Sequence, residues 1–151
     1  MLLRILKAKR LLLLLDGEME RFRAPIALGQ NPIGAKTREG DGKTPEGIYH
    51  ICLVKESGKY GKSLGLDYPS PRDARLALLE NRIDSQTCRA ILDAHRHGIR
   101  PPWGTSLGGE IYLHEGDVQT DWTQGCVALT PEDMAQIFAL RNQLEKIEIL
   151  P

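Results

Sequence analysis

Ile111-Tyr112-Leu113-His114-Glu115-Gly116 and Asp121-Trp122-Thr123-Gln124-Gly125-Cys126-Val127-Ala128-Leu129-Thr130 carry the reading of this chain. Ile111 to His114 is an apolar run that ends in a histidine, and Val127 to Leu129 is an apolar run that begins directly after a cysteine. Both read as short strands bounded by turn-forming residues. Twelve positions separate His114 from Cys126. Two strands joined by such a loop can lie side by side, with the end of one next to the beginning of the other. His114 and Cys126 are then expected to meet at one rim of a sheet.

That meeting has a chemical use. A thiol with its ordinary pKa of about 8.5 is mostly protonated at neutral pH, whereas the thiolate is the nucleophile. A neighbouring imidazole takes the proton, holds it as counter-charge and delivers it to a leaving amine. Gly125 has no side chain to block a substrate carbonyl, and the amide groups around Cys126 are candidate donors to the oxyanion of acyl transfer. The alternative reading of the same spacing is a buried cysteine and an unrelated loop histidine.

The other cysteines and histidines read differently. Cys52 lies inside an apolar strand and Cys88 on the apolar face of a helix, so both are expected as small buried hydrophobes. Three cysteines without close spacing make neither a disulfide framework nor a CxxC zinc pair. His50 is expected to be structural or partly exposed. His95 and His97, two apart on a helix, point away from each other and read as cationic or solvated side chains near its C-terminus. A metal site joining them to His114 and Cys126 is the alternative. Gly42-Lys43-Thr44 lacks the upstream glycine of a phosphate loop, since position 37 is Thr37, and His114-Glu115 lacks the second histidine of a zinc helix, since position 118 is Val118.

Working outward, Leu11 to Leu15, Asp16-Gly17 and Met19 to Leu28 read as a hairpin. Together with the preceding Met1 to Arg10, Leu11 to Leu15 is expected as a pair of strands rather than a secretory signal, because the apolar stretch is short and Asp16-Gly17-Glu18 offers no cleavage site. Gly29 to Gly47 is a loop, and Ile48 to Val54 resumes as strand. Tyr68 to Asp73 reads as a turn, and Arg75 to Asn81 as the start of a helix. Asp84 and Ser85 cap a second helix bearing Cys88, Ile91, Leu92 and His95, stopped by Gly98. Pro101-Pro102-Trp103-Gly104 breaks the chain. Thr130 caps a third helix, with Pro131 in its first turn and Met134, Ile137, Phe138, Arg141 and Leu144 along it. Ile147 to Leu150 is a closing strand. The expected fold is mainly β with additional helices, in a single domain over residues 1–151.

Composition narrows the class. Hydrophobic residues make up 41% of 151, enough to bury a core at this size. Lysine plus arginine number 20 and aspartate plus glutamate 20, so nothing electrostatic points to nucleic acid or an anionic membrane as partner. No apolar run reaches the ~20 residues of a transmembrane span.

The two opening segments resemble the active-site segment of the L,D-transpeptidase (YkuD) catalytic domain. Leu28-Gly29, Pro32-Ile33-Gly34-Ala35-Lys36, Gly40-Asp41-Gly42-Lys43-Thr44-Pro45-Glu46-Gly47-Ile48-Tyr49 and Tyr68-Pro69-Ser70-Pro71-Arg72-Asp73 fit the same family in order. The resemblance implies a β-sandwich-like catalytic domain acting on peptidoglycan stem peptides in the cell envelope, with no metal or organic cofactor. It implies Cys126 as nucleophile and His114 as proton acceptor and donor. The histidine would be oriented by the backbone of Glu115 or Gly116, and the oxyanion held by backbone near Gly125 and Cys126. Two departures stand out: Gln124 where many members have histidine, and Ala128 where many have arginine. The reaction so implied is cross-linking of stems through a cysteine acyl-enzyme. Its alternatives are hydrolysis of the same acyl-enzyme, as an L,D-carboxypeptidase or endopeptidase, and a non-catalytic wall-binding module.

Overall fold

Alternation organises the start of the chain. In β1 (Leu2–Leu6) and β2 (Leu11–Asp16) every second side chain, Leu3, Ile5, Leu12 and Leu14, is closed to solvent, as the two-residue period of a strand requires. These elements belong to a computed structural model that describes residues 1–151. The expected hairpin forms: β2 pairs antiparallel with β3 (Met19–Pro25) around Gly17, whose φ of 63° suits glycine. The strand stops at Pro25 instead of continuing to Leu28, and Ile26 to Leu28 turn inward as fully covered side chains.

Ile48 to Val54 is not one strand. It divides at His50 into β4 (Gly47–Tyr49) and β5 (Ile51–Gly58), which belong to different sheets. The Asp67 carboxylate takes the His50 backbone N–H at 2.8 Å, which redirects the chain from one sheet to the other. β6 (Gly61–Leu66) follows, a strand that the sequence pattern did not announce. Tyr68 to Asp73 also contains more than a turn. Ser70 and Asp73 form a reciprocal capping box, so α1 runs Pro71–Leu79, four residues earlier than Arg75. α2 (Ser85–Arg96) begins at the expected Asp84 cap. The two helices pack on a small core of Ala74, Ala77, Cys88, Ile91 and Leu107.

The chain then enters β7 (Tyr112–Glu115), β8 (Val127–Leu129), α3 (Pro131–Ala139) and β9 (Lys146–Leu150). The third helix is shorter than its apolar pattern predicted: Leu140 ends it, and Arg141–Gln143 form a separate 3-10 turn. One sheet has the order β3-β2-β1-β9-β4, with β1 and β9 parallel; the other has β5-β6-β7-β8, with β7 and β8 parallel. Twenty buried apolar residues form the core, three of them, Met134, Ile137 and Phe138, from α3, which packs against β6 and β7. Ala27 exchanges both backbone hydrogen bonds with Ala128, at 3.0 and 2.9 Å, and so sews the outer edge of β8 to the segment after β3. No helix is long and apolar enough to cross a membrane.

Candidate active site

His114 and Cys126 come together, but not as the end of one strand meeting the start of the next. β7 and β8 are parallel, with Leu113 opposite Val127 and His114 opposite Ala128. Leu113 and Val127 point into the core, so His114 and Ala128 face the other way. The lateral neighbour of Cys126 is therefore Tyr112, and His114 stands one pleat along. Both line a cavity of about 630 Å³. The parallel arrangement arises because the connection after Glu115 returns along the strand before β8 begins. Arg10 fixes that return, holding Asp121 by a fork of bonds at 2.7 to 3.1 Å, while Asp121 also accepts the Leu28 N–H. Thr123 then bonds Leu28 and Gln30 through its backbone.

The thiol is half-buried and held by the chain before it. Its sulfur accepts the Tyr112 N–H at 3.4 Å and donates to the Glu110 carbonyl at 3.4 Å. Glu110 supplies that carbonyl from a left-handed conformation, φ 54°, which a non-glycine residue adopts at some cost. Burial pushes the Cys126 thiol above its ordinary pKa, only partly offset by the Tyr112 N–H.

The histidine is held more completely. Its Nδ1 bonds the Glu115 carbonyl at 2.8 Å. A carbonyl only accepts, so the proton sits on Nδ1 and the Nε2 lone pair is left free. Of the two backbone carbonyls expected beside the ring, that of Glu115 is the one bonded to it, and no bond runs from the ring to the Gly116 carbonyl. Tyr60 stacks on the imidazole with 4.7 Å between centroids, and Trp122 meets it edge-on at 5.7 Å. Burial lowers the His114 pKa, and the Glu115 carbonyl works in the opposite direction. Burial thus works against charge on both the imidazole and the thiol.

Gly116 and Ala128 make room for this packing. A Cβ on Gly116 would stand 2.6 Å from the Trp122 ring and 3.5 Å from the Ala128 methyl. The small residue at 128 thus lies under Gly116 beside the indole.

The turn before the thiol is tied by Thr123. Its hydroxyl donates to Cys126 O at 2.7 Å and accepts the Gly125 N–H at 3.1 Å. The N–H of Gly125 is therefore engaged, whereas those of Gln124 and Cys126 have no acceptor within the chain. Gly125 itself has φ 141°, and a Cβ there would lie 2.7 Å from Lys43 O. Only glycine fits.

The remaining candidates lie elsewhere. Cys88 is buried as expected; Cys52 is half-buried, its thiol raised to about 11 by burial and then by Asp67. His95 is not solvated: its Nε2 bonds Pro69 O at 2.7 Å and its Nδ1 lies 3.7 Å from Asp67. His97 caps its own helix through Asp93 O, and His50 meets Asp67 at 3.1 Å. None of them lines the cavity of His114 and Cys126. Tyr60, Trp122, Thr123 and Glu110 were not singled out in the sequence. Only the Thr-x-Gly-Cys pattern held a signal for one of them.

The family model of the L,D-transpeptidase catalytic domain, YkuD, matches residues 2–149. Among solved structures, the helical cell shape determining protein Pgp2 from Campylobacter jejuni aligns with a TM-score of 0.65 at 20% identity, covering 98% of this chain and 46% of that one. Bd1075 from Bdellovibrio bacteriovorus aligns with a TM-score of 0.59 at 21% identity, covering 99% and 47%. An L,D-transpeptidase from Xylanimonas cellulosilytica gives 0.57 at 11% identity, covering 99% and 59%. The chain thus spans about half the length of these structures, and the likeness is one of fold. No curated protein matches it in sequence. With the two-sheet architecture and a family match over nearly its whole length, the chain belongs to the L,D-transpeptidase catalytic domain (YkuD) family.

Proposed function

We propose that residues 1–151 form one catalytic domain that transfers acyl groups of peptidoglycan stem peptides through a thioester on Cys126. Nε2 of His114 takes the thiol proton as the sulfur attacks the carbonyl between an L-centred diamino residue and a terminal D-residue. The S–C bond forms, and the oxyanion is met by the N–H groups of Cys126 and Gln124, the two left without acceptors. Collapse breaks the C–N bond, and His114 returns the proton to the departing amine. A second stem's amine then attacks the thioester, passes its proton to Nε2 and leaves a cross-link, with the thiol restored. Water in place of that amine gives hydrolysis.

One observation supports the reading: Cys126 and His114 lie on the same face of a parallel strand pair, at one cavity, with Nε2 free and the Gln124 and Cys126 amides without acceptors. Gln124 and Ala128 do not remove any of these parts. The proposed place of action is the cell envelope, where such a substrate lies.

Intact-protein mass spectrometry with a tetrapeptide-stem muropeptide tests the proposal. The expected result is an adduct on the wild type lacking the D-residue, absent from Cys126→Ala and much slower to form in His114→Ala. Cross-linked product identifies transpeptidation, and tripeptide product identifies the carboxypeptidase. Binding without adduct or turnover overturns the enzyme reading in favour of a wall-binding module.

A further inference from the structure

The cavity has walls of opposite charge. The loop after Lys36 and the segment before β7 contribute Glu39 and Glu110, whereas the β5–β6 hairpin contributes Lys55 and Lys59. Lys36 also lines the space, but its buried ammonium is committed to Asp41 at 3.0 Å and to Arg38 O at 3.0 Å. Lys55 and Lys59 have no carboxylate partner. Their ammonium groups lie over aromatic rings instead, Lys55 at 4.8 Å from the Tyr112 centroid and Lys59 at 5.3 Å from that of Tyr60. A cation on a ring face at an exposed site is only weakly held, so both are free to pair with an anion entering the cavity.

The proton path gives the direction. His114 must reach the departing nitrogen to protonate it, so the leaving group lies on the His114 side of the sulfur. That side is the hairpin side, because Tyr60 stacks on the His114 ring and carries Lys59 at its face. One residue extends a chain by no more than about 3.6 Å. A leaving group of a single C-terminal amino acid therefore keeps its carboxylate in the lysine half of the cavity, away from Glu39 and Glu110.

We propose that Lys59 and Lys55 form a carboxylate clamp that reads the free C-terminus of the leaving residue, and so select peptides that end one residue beyond the attacked carbonyl. The inference rests on the acyl-transfer reading of this site. An exposed ammonium is a point charge on a flexible stem, so the clamp selects by charge more than by shape.

The test compares a tetrapeptide stem ending in a free carboxylate with the same peptide ending in an amide. Calorimetry on Cys126→Ala protein measures recognition apart from chemistry. The acid is expected to bind about two- to tenfold more tightly than the amide at low salt, as for an exposed ion pair, and the preference is expected to shrink as salt screens it. Adding Lys55→Ala and Lys59→Ala lowers the acid's affinity to that of the amide and leaves the amide's unchanged. Equal affinity for the two peptides, no binding of either, or a preference that survives loss of both lysines overturns the clamp. Thioester formation on the wild type is followed separately: its absence removes the acyl-transfer reading, while the calorimetry still decides the clamp.

Discussion

The ring of Tyr60 lies over that of His114, 4.7 Å between centroids and 23° between planes. Fifty-four positions separate the two residues in the chain. The hairpin tip that carries Tyr60 is tied to the end of β7 by the Glu115 N–H, which donates to Tyr60 O at 3.1 Å, and by the Glu115 carboxylate, which accepts from the Lys62 N–H. Tyr60 thus covers the proposed base from an element that contributes nothing to the thiol.

Removing that cover moves the titration of His114. Burial holds its pKa low, so the neutral base survives to lower pH than an ordinary histidine at about 6.5. Activity on the acid side is expected to be lost as pH falls through this depressed value. Tyr60→Ala admits water, raises the pKa and shifts the acid limb of kcat/KM upward by up to roughly one pH unit. Tyr60→Phe keeps the stack and leaves the limb in place. A pH–rate profile of the three proteins checks this.

Gly125→Ala is expected to disable the site while leaving the fold. The new methyl meets Lys43 O at 2.7 Å from a φ of 141°, a strain of about 1–3 kcal/mol. Relief requires the Thr123–Cys126 turn to shift, and a displacement near 1 Å costs about 10²-fold in rate. Acylation rate and thermal melting measured on the same preparation separate the two effects.

Lys7 is a buried charge outside the cavity. Its side chain is 3% exposed, and its ammonium donates to Gly34 O at 2.9 Å, Thr44 O at 2.8 Å and Glu46 at 3.0 Å. Lys7→Met leaves a carboxylate and two carbonyls without their donor, for a loss of about 3–5 kcal/mol. Urea unfolding should show a lower midpoint at unchanged slope.

Acid should loosen the Arg10–Asp121 fork. Burial pushes the Asp121 carboxyl up, but the Arg10 guanidinium and the Leu28 N–H together hold it below the usual carboxylate range. Its contribution to stability is therefore present above the unfolded value of about 3.9 and is lost as pH falls through the lower folded value. Asp121→Asn lowers stability at pH 7 by about 1–2 kcal/mol, between an exposed pair and a buried charged hydrogen bond, and flattens the loss below pH 4. Melting temperatures between pH 2 and 7 on both proteins check the sign.

What was legible in the sequence was local. Leu11 to Leu15 is an apolar run, Met19 to Ala24 alternates, and Asp16-Gly17 lies between them, so their hairpin could be read; Asp84 and Thr130 are caps, so their helices could be read. β6 was hidden because Gly61 and Gly65 interrupt its pattern. Its glycine at 65 is there to admit the Tyr112 ring and Leu53, which a Cβ would meet at 3.0 Å. The break at His50 depends on Asp67, seventeen residues on, and no window around His50 contains it. The site followed the same rule. His114 and Cys126 flank one loop and share a motif, but the parallel pairing of their strands is set by Arg10 and Leu28, far earlier in the chain.

The seam between Ala27 and Ala128 bears on how this protein behaves in a crowd of its own copies. β8 is the terminal strand of its sheet, and a bare terminal strand invites a stranger's backbone to pair with it. Ala27 occupies those donors and acceptors from within the same molecule. The strand that follows the thiol is thereby closed to runaway strand addition.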